Sequence, residues 1–398
     1  MRKLNKTAAC GILAAALAAG TLSGCSKAID GTKTVATVGD EKVTLGLASY
    51  MTRDQQAQTM SYYNMLMSQY GVSGSASNVW DQKGDDGKTV GESSKDSVMK
   101  TINQLYVLKA HAADYDVTIT EDEEKAIKEA AAEFIKDNDE KILKKLAVSE
   151  DDIVTYLELV TIRSKMHDPM TADVDTEVSA NEKDQTRVTI VKVSTEGTEK
   201  DDDGNTIDLT DEEKAQKKDL AQQVLDKVKA SDDVANADMD ALAKEVDDSL
   251  SATAPAFTTA GDTDDTLDEA VQDAALELKD GEVADKVIEG DDGYYVVRLD
   301  KMLDEDATEN KEKTVISERK SDLYDSTLED WVKEEKIKVD DKVWDQIKVT
   351  DSVSFEYKSK DSSEGDSTAA DADSTKDTED TSAQDSSASD SAAEDSAE

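Results

Sequence analysis

The chain has 398 residues, and 92 Asp and Glu against 46 Lys and Arg give it a formal net charge of −46. At roughly 150 residues per domain, this length can hold two or so domains. So strong a negative charge repels phosphate backbones and anionic lipid headgroups. It therefore argues against nucleic acid as a partner and against membrane docking through a basic patch.

The first 25 residues have the three parts of a secretory signal. Arg2, Lys3 and Lys6 supply the basic start, an apolar run of residues 11–19 follows, and the segment LSGC ends at Cys25. The apolar run is too short for a membrane-spanning helix, which needs about 20 residues. LSGC closely resembles the bacterial lipobox, which implies cleavage before Cys25 and lipidation at that residue. The alternative is an ordinary signal peptide in which Cys25 is incidental.

A spacer, residues 25–33, separates this leader, residues 1–24, from a region predicted to be mainly helical, residues 34–184. The region opens with VATV and KV as short strands around a Gly-Asp turn, and Thr44 can then cap a helix that continues towards Tyr70. The segment VATVGDEKVTLGLASYM resembles the opening of the SurA/PrsA-type extracytoplasmic chaperones. The resemblance implies a helical chaperone domain of the SurA N-terminal kind over residues 34–184.

Three further helices are predicted in this region. Apolar residues from Val98 to Ala112 recur at every third or fourth position, which is typical of an amphipathic helix. Capping boxes that begin at Thr120 and Ser149 predict the starts of the next two helices. Pro169 is predicted to end the helical part, because a proline disfavours the helical conformation of the residue before it.

A different pattern spans residues 185–304. The strand RVTIVKV precedes two helical segments, 221–228 and 239–246, and the stretch from Ala274 to Leu299 combines a helix end, a Lys-Asp-Gly turn and a hairpin. This stretch, AALELKDGEVADKVIEGDDGYYVVRL, resembles the C-terminal half of parvulin-type peptidyl-prolyl isomerase domains. The order strand, helix, helix, helix, hairpin is also the parvulin order. The resemblance implies a parvulin-like α/β module.

Residues 305–357 are predicted to be helical again and to complete the first lobe. In the chaperones that the chain resembles, the C-terminal segment packs on the N-terminal helices, which implies that the parvulin-like module is an insertion. Residues 358–398 form an acidic tail with nothing to bury, since from residue 361 it has 13 Asp or Glu against one Lys. The predicted fold class is therefore α+β, with a helical lobe, an inserted parvulin-like module and a disordered acidic tail.

The parvulin resemblance also implies a pocket for the prolyl ring. Its two histidines fall at Thr189 and Tyr295 of this chain, and its apolar pocket positions fall near Leu267 and Val271. Neither of the first two residues is histidine. The resemblance therefore implies a vestigial pocket, with no residue assigned to catalysis and with isomerase activity left uncertain.

No cofactor or metal is expected. Residues 199–210 begin like a calcium-binding loop, but the twelfth position is Thr210 instead of glutamate. His111 and His167 belong to the helical region and could bind a metal only if the fold brought them together.

The end of the first predicted helix is rich in methionine and tyrosine. Met60, Tyr62, Tyr63 and Met67 surround the helix instead of forming one stripe, so a single core cannot bury them all. Soft methionine and amphipathic tyrosine side chains suit a surface that holds varied unfolded segments. Alternatively, other helices cover this helix on two sides.

Together these patterns predict a chaperone or foldase anchored by a lipid on Cys25 to the outer face of the bacterial cell membrane. Its partners would be unfolded or newly secreted polypeptides. One alternative is an active parvulin-type isomerase. Another is a surface lipoprotein that binds a solute or wall polymer, although 4% aromatic residues leave few side chains for stacking on sugars.

Overall fold

The computed structural model describes residues 29–69, 79–198, 200, 206–260 and 267–350, together with the backbone of two short strands at 16–19 and 355–358. The chain divides into two compact units, Met1–Tyr357 and Lys358–Glu398. Cys25, the predicted signal peptide apart from residues 16–19, and the acidic tail beyond Lys358 lie outside the described residues. None of the helices in the described part of the chain combines the length and hydrophobicity that a membrane span requires.

The N-terminal strands are β1 (Ala16–Ala19), β2 (Thr34–Val38) and β3 (Glu41–Thr44). β2 and β3 pair antiparallel, and Gly39 in their turn has a φ of +58°, a conformation that glycine adopts without steric cost. The helix α1 (Leu45–Gln69) follows directly. The backbone N–H of Leu47 donates to the hydroxyl of Thr44 at 3.1 Å, which confirms the predicted cap.

Four more helices follow. They are α2 (Val90–His111), α3 (Glu121–Asp137), α4 (Glu140–Leu146) and α5 (Glu150–Met170). The name helical lobe is used here for β2, β3 and α1 to α5, together with the C-terminal elements described below that pack on them. Capping boxes at Thr120 and Ser149 begin α3 and α5, as predicted. The lobe has one apolar core, whose largest fully buried side chains include Leu45, Leu47, Ile102, Leu105, Leu108, Leu146, Ile153 and Leu159.

The helix α5 continues through Pro169 to Met170, past the predicted end. A proline in the last turn removes only one intrahelical N–H donor. Two carbonyls near this end find another partner, because the hydroxyl of Thr171 donates to the carbonyl of His167 at 2.9 Å and to that of Asp168 at 3.4 Å. The helix therefore ends one residue after Pro169, and the missing N–H donor costs little stability.

A second group of elements, called the inserted module, follows the helical lobe. Its elements are α6 (Ala180–Lys183), β4 (Gln185–Ser194), α7 (Asp211–Lys229), α8 (Met239–Lys244), β5 (Ala252–Thr253), β6 (Ala256–Thr258), α9 (Glu269–Leu276), β7 (Ile288–Glu289) and β8 (Gly293–Lys301). All pairs of its sheet are antiparallel, in the order β5-β4-β8-β7, and β6 also pairs with β4. The predicted order of strand, three helices and hairpin is present.

The sheet of the inserted module is buried on both faces. Val191, Val193 and Val296 pack against α7 and α8 on one face. Val297 and Leu299 pack with α9 on the other. Because side chains alternate along a strand, each residue of β4 and β8 belongs to one face only.

The chain then returns to the helical lobe through α10 (Glu305–Glu334), β9 (Ile337–Val339) and α11 (Asp341–Trp344), and β10 (Phe355–Lys358) follows. β9 pairs antiparallel with β2 and so becomes the third strand of the N-terminal sheet. Trp344 and Ile347 belong to the same apolar core as the N-terminal helices. The mixed helical and sheet fold expected from the sequence is confirmed.

The segment between α5 and the module is fastened to α10. The guanidinium of Arg319 donates to the carbonyls of Asp175 and Glu177 at 3.1 and 3.0 Å and pairs with the carboxylate of Glu182. Lys183 pairs with Glu312 at 2.9 Å. The segment that leads into the inserted module is therefore bound to α10, the helix that follows the module.

Lys95 of α2 holds the C-terminal return at its far end. Its ammonium lies 4.6 Å from the centroid of the Trp344 ring and donates to the carbonyl of Trp344 at 3.2 Å. Trp344 itself is buried. A cation over an aromatic face and a buried indole together attach α11 to α2.

Replacing Trp344 with alanine should lower the free energy of unfolding by roughly 3–5 kcal/mol, because it leaves a cavity in the core of the helical lobe. Chemical denaturation followed by far-UV circular dichroism measures the change. Lys348→Ala, at an exposed position four residues on, is the matched control and should change stability by less than about 0.5 kcal/mol. Equal effects of the two substitutions would contradict the assignment of Trp344 to the core.

Candidate functional site

The pairing of β4 with β8 determines which predicted pocket residues can meet. Thr189 lies opposite Arg298, and Lys192 lies opposite Tyr295. Residues directly opposite each other in an antiparallel pair point to the same face. Tyr295 and Lys192 therefore share the face that packs on α9, whereas Thr189 belongs to the face that packs on α7 and α8.

Three of the four predicted pocket residues lie together. Leu267, Val271 and Tyr295 belong to one apolar cluster with Ile190 and Phe257, and all five are buried. The β4 members of this cluster are Val188 and Ile190, which flank Thr189 on either side.

Thr189 is not part of this cluster. Its hydroxyl donates to the carboxylate of Asp300 at 2.6 Å and accepts from the guanidinium of Arg298 at 3.3 Å, both on the opposite face. The physical reason is the two-residue period of a strand, in which a shift by one residue reverses the face. Thr189 therefore lies on the other face of the sheet from Leu267, Val271 and Tyr295.

The hydroxyl of Tyr295 is held by a small polar cluster at the edge of the apolar one. It donates to one carboxylate oxygen of Asp292, and the ammonium of Lys192 donates to the other. The ammonium also lies 6.0 Å from the centroid of the tyrosine ring. A Cβ added to Gly290 would lie 2.8 Å from Cε2 of that ring, so the turn backbone rests directly against it.

The electrostatics of this cluster favour a neutral phenol and a charged carboxylate. Burial, and then the neighbouring carboxylate of Asp292, raise the pKa of Tyr295. Burial alone would raise the pKa of Asp292, but the hydrogen bonds from Lys192 and Tyr295 outweigh it and lower that pKa. Tyr295 therefore donates its proton to a permanent anion and does not ionise near neutral pH.

This arrangement offers binding chemistry more readily than covalent chemistry. Isomerisation of a prolyl bond needs no nucleophile, since desolvation and aligned hydrogen bonds are enough to lower the barrier. Sequence reasoning missed Lys192 and Asp292, which are 100 residues apart along the chain. The Gly-Asp-Asp-Gly turn was visible in the sequence. The carboxylate of Asp292, however, meets Lys192 and Tyr295 only in the folded hairpin.

Replacing Asp292 with asparagine should remove a contribution to stability that depends on pH. The folded pKa of Asp292 lies below the unfolded value of about 3.9, so the carboxylate stabilises the fold above that value and stops doing so as the pH falls through the folded one. The difference in denaturation midpoint between wild type and variant should be constant from pH 5 to 7 and shrink below about pH 4. Asp291→Asn, at the exposed neighbouring position, should show no such trend. A difference that grows on acidification would contradict the assignment.

The second half of α1 is the other candidate site. The buried residues of this helix end at Ala57, and residues 58–69 contain none. Tyr62 is 63% exposed and Met65 is 62% exposed. Single exposed apolar side chains are normal on a protein surface, but a contiguous apolar patch often marks an interaction site.

The residues predicted to bind clients all lie on this exposed half. Tyr62 is exposed, and Met60, Tyr63 and Met67 are half-buried. Among the described residues, no helix buries this half of α1, which differs from the alternative in which other helices cover it on two sides. From residue 55 to residue 69 the helix also carries no charged side chain, in a chain that is 35% charged.

A cleft of about 370 Å³ lies beside this helix, between α1, α2 and α5. The residues that line it include Met51, Gln55, Gln58, Val98, Leu105 and Val160. Polar and charged side chains, among them Asp54, Thr101 and Arg163, line it together with the apolar ones. The sequence did not reveal this cleft, because it depends on how far three separately predicted helices stand apart.

The two histidines are engaged in separate local contacts. The ring of His111 stacks on Trp331 with centroids 4.1 Å apart, and its Nδ1 lies 3.0 Å from the carboxylate of Asp114. His167 lies beside Asp168 and Tyr324. Within the described residues, no group of three potential metal ligands comes together.

Residues 199–313 match the family model of the PPIC-type PPIase domain. This match confirms the parvulin resemblance for that part of the chain. No curated protein matches the chain.

Among solved structures, the foldase protein PrsA from Lactococcus lactis is similar with a TM-score of 0.32 and 14% identity, over 78% of this chain and 96% of that one. PrsA from Bacillus cereus has a TM-score of 0.29 and 20% identity, over 68% and 97%. One of two SurA-like chaperones from Campylobacter jejuni has a TM-score of 0.25 and 10% identity, over 77% and 98%. At such low scores and identities, the assignment rests on the PPIC-type match.

Proposed function

We propose that this chain, which carries a PPIC-type domain between two parts of a helical lobe, is an extracytoplasmic chaperone or foldase. It assists secreted proteins by binding unfolded or newly secreted polypeptides through their apolar segments. The observation that supports this proposal best is the second half of α1, where methionine and tyrosine side chains are exposed without any charged residue between them.

Binding at such a surface needs no covalent or acid–base step. A client side chain that covers Tyr62 or Met65 removes apolar area from water, and full burial of one such side chain contributes about 1.5–3 kcal/mol before the cost of ordering the client. A few contacts of this kind give a net affinity on the order of −4 to −8 kcal/mol, which corresponds to millimolar to micromolar dissociation constants. Binding of this strength is reversible, as a folding assistant requires.

The cleft beside α1 extends the same surface. Gln55 and Gln58 line the cleft and belong to the uncharged part of the helix. Their amides offer donors and acceptors to the backbone of an extended client, while Met51 and Leu105 offer apolar contact. The large negative charge of the chain keeps its complexes apart by mutual repulsion.

The proposal places the protein outside the cytoplasm, held at the cell membrane through a lipid on Cys25. The support is the sequence of the leader, in which a basic start and a short apolar run precede LSGC. One lipidated residue at the start of the mature chain leaves the helical lobe free on the outer side.

Replacing Met60, Tyr63 and Met67 with serine should reduce the suppression of client aggregation several-fold, because it removes three half-buried apolar side chains from the exposed half of α1. Light scattering of a chemically denatured client diluted into the protein measures the effect. The matched control replaces Thr59, Asn64 and Gln69 with serine in the same half of the helix. We expect the control to suppress aggregation like wild type.

Circular dichroism should show the same helix content in both triple variants, since none of the six positions is buried. Unchanged suppression by the Met60, Tyr63 and Met67 variant would remove α1 as the binding surface. Equal loss in both variants would point to the helix itself instead of its apolar side chains.

Replacing Cys25 with serine should release the protein from the membrane fraction, because serine offers no thiol for a lipid. Fractionation of the expressing bacteria, followed by mass spectrometry of the mature N-terminal peptide, measures both location and modification. Cys10→Ser, within the part predicted to be removed, is the control and should leave the protein membrane-bound. Retention of the Cys25 variant in the membrane fraction would contradict the lipid anchor.

An active prolyl isomerase is the second candidate function, and the PPIC-type match over residues 199–313 favours it. Against it, Thr189 and Tyr295 stand at the two positions where the resemblance leads one to expect histidine. The two candidates differ in one measurable property. An isomerase accelerates cis–trans exchange of a prolyl peptide, whereas the proposed chaperone binds apolar peptides with or without proline.

A further inference from the structure

The apolar cluster on the α9 face of the PPIC-type domain offers almost no surface to solvent. Phe257 and Val271 are fully buried, Leu267 and Ile288 are 7% exposed, and Tyr295 is 4% exposed. A pocket that receives a prolyl ring must present apolar surface to the incoming ligand. In this structure these side chains are covered by other parts of the chain.

Tyr295 is the residue that lies between the covered surface and solvent. Its ring belongs to the apolar cluster, but its hydroxyl ends at Asp292, whose side chain is 43% exposed, and at the neighbouring Lys192, which is 36% exposed. The ring thus reaches from the interior to the edge of the domain, with its polar end at the entrance.

The entrance is held together by hydrogen bonds. The backbone N–H of Gly290 donates to the carbonyl of Gly293 at 3.0 Å and closes the hairpin turn. Asp268, which caps α9, accepts from the backbone N–H of Asp291 at 2.7 Å. The turn, the start of α9 and the ring of Tyr295 therefore form one unit.

We propose that the Tyr295 ring occupies the prolyl pocket of this domain and that Lys192 and Asp292 hold it there. The domain is closed to prolyl peptides in the wild type. Shortening the side chain at position 295 opens a site of about the size of the lost ring. This inference does not depend on the chaperone function.

Tyr294 provides a matched control for the central experiment. It is the preceding residue of β8, it is 8% exposed, and its ring lies on the opposite face of the sheet with Val191 and Val193. Tyr294→Ala removes the same number of atoms as Tyr295→Ala but opens a cavity away from α9.

The experiment titrates the full chain with a short N-acetylated peptide containing proline and with the same peptide carrying alanine in its place. Binding is followed by NMR chemical shifts, and cis–trans exchange of the prolyl peptide by exchange spectroscopy. We expect Tyr295→Ala to bind the prolyl peptide at least tenfold more tightly than wild type, and Tyr294→Ala to behave like wild type. The alanine peptide should gain no affinity from either substitution.

Two milder variants keep the proposal falsifiable if Tyr295→Ala does not fold. Tyr295→Phe and Asp292→Ala retain the aromatic ring but remove the hydrogen bond at its end, so each should bind the prolyl peptide more tightly than wild type. The proposal is overturned if wild type binds the peptide as tightly as the variants or accelerates its exchange. It is also overturned if folded Tyr295→Ala gains no affinity, or if Tyr294→Ala gains as much. If Tyr295→Ala does not fold, failure of both milder variants to gain affinity has the same meaning.

Discussion

The pairing of β9 with β2 is the contact on which the arrangement of this protein depends. It joins residues 36–38 to residues 337–339, with the whole PPIC-type domain between them in the chain. Two ends of one lobe are thereby closed around an insertion, and the core of the helical lobe includes Trp344 and Ile347 from the far end. Without this pairing, the helical lobe and the PPIC-type domain would simply follow one another along the chain.

Ion pairs attach the inserted module to α10 at both of its ends. Its entry segment is fastened to α10 through Arg319 and Lys183, and Arg187 of β4 pairs with Asp304 at the start of the same helix. One long helix therefore receives both connections of the domain. The helical lobe and the PPIC-type domain therefore belong to one framework.

Much of the fold could be read from the sequence because its signals are local. Thr44, Thr120 and Ser149 cap helices through side chains within three residues of the helix start, and the hairpin before Leu299 follows from its turn residues. The site was harder to predict. Because a strand changes face at every residue, whether Thr189 shares a face with Tyr295 depends on the exact register of β4 with β8, which the sequence does not give. The link between Lys192 and Asp292, like the cleft beside α1, exists only after distant segments have met.

The late return of the chain has a consequence for how the protein matures. During synthesis the N-terminal helices emerge first, but their sheet lacks β9 and their core lacks Trp344 until the chain has been made as far as residue 344. Contacts so remote in sequence form slowly, because a large loop must close before they are made. While it folds, the helical lobe is therefore incomplete, and part of its apolar surface is exposed to solvent. A protein proposed to shelter other nascent chains passes through the same vulnerable state itself.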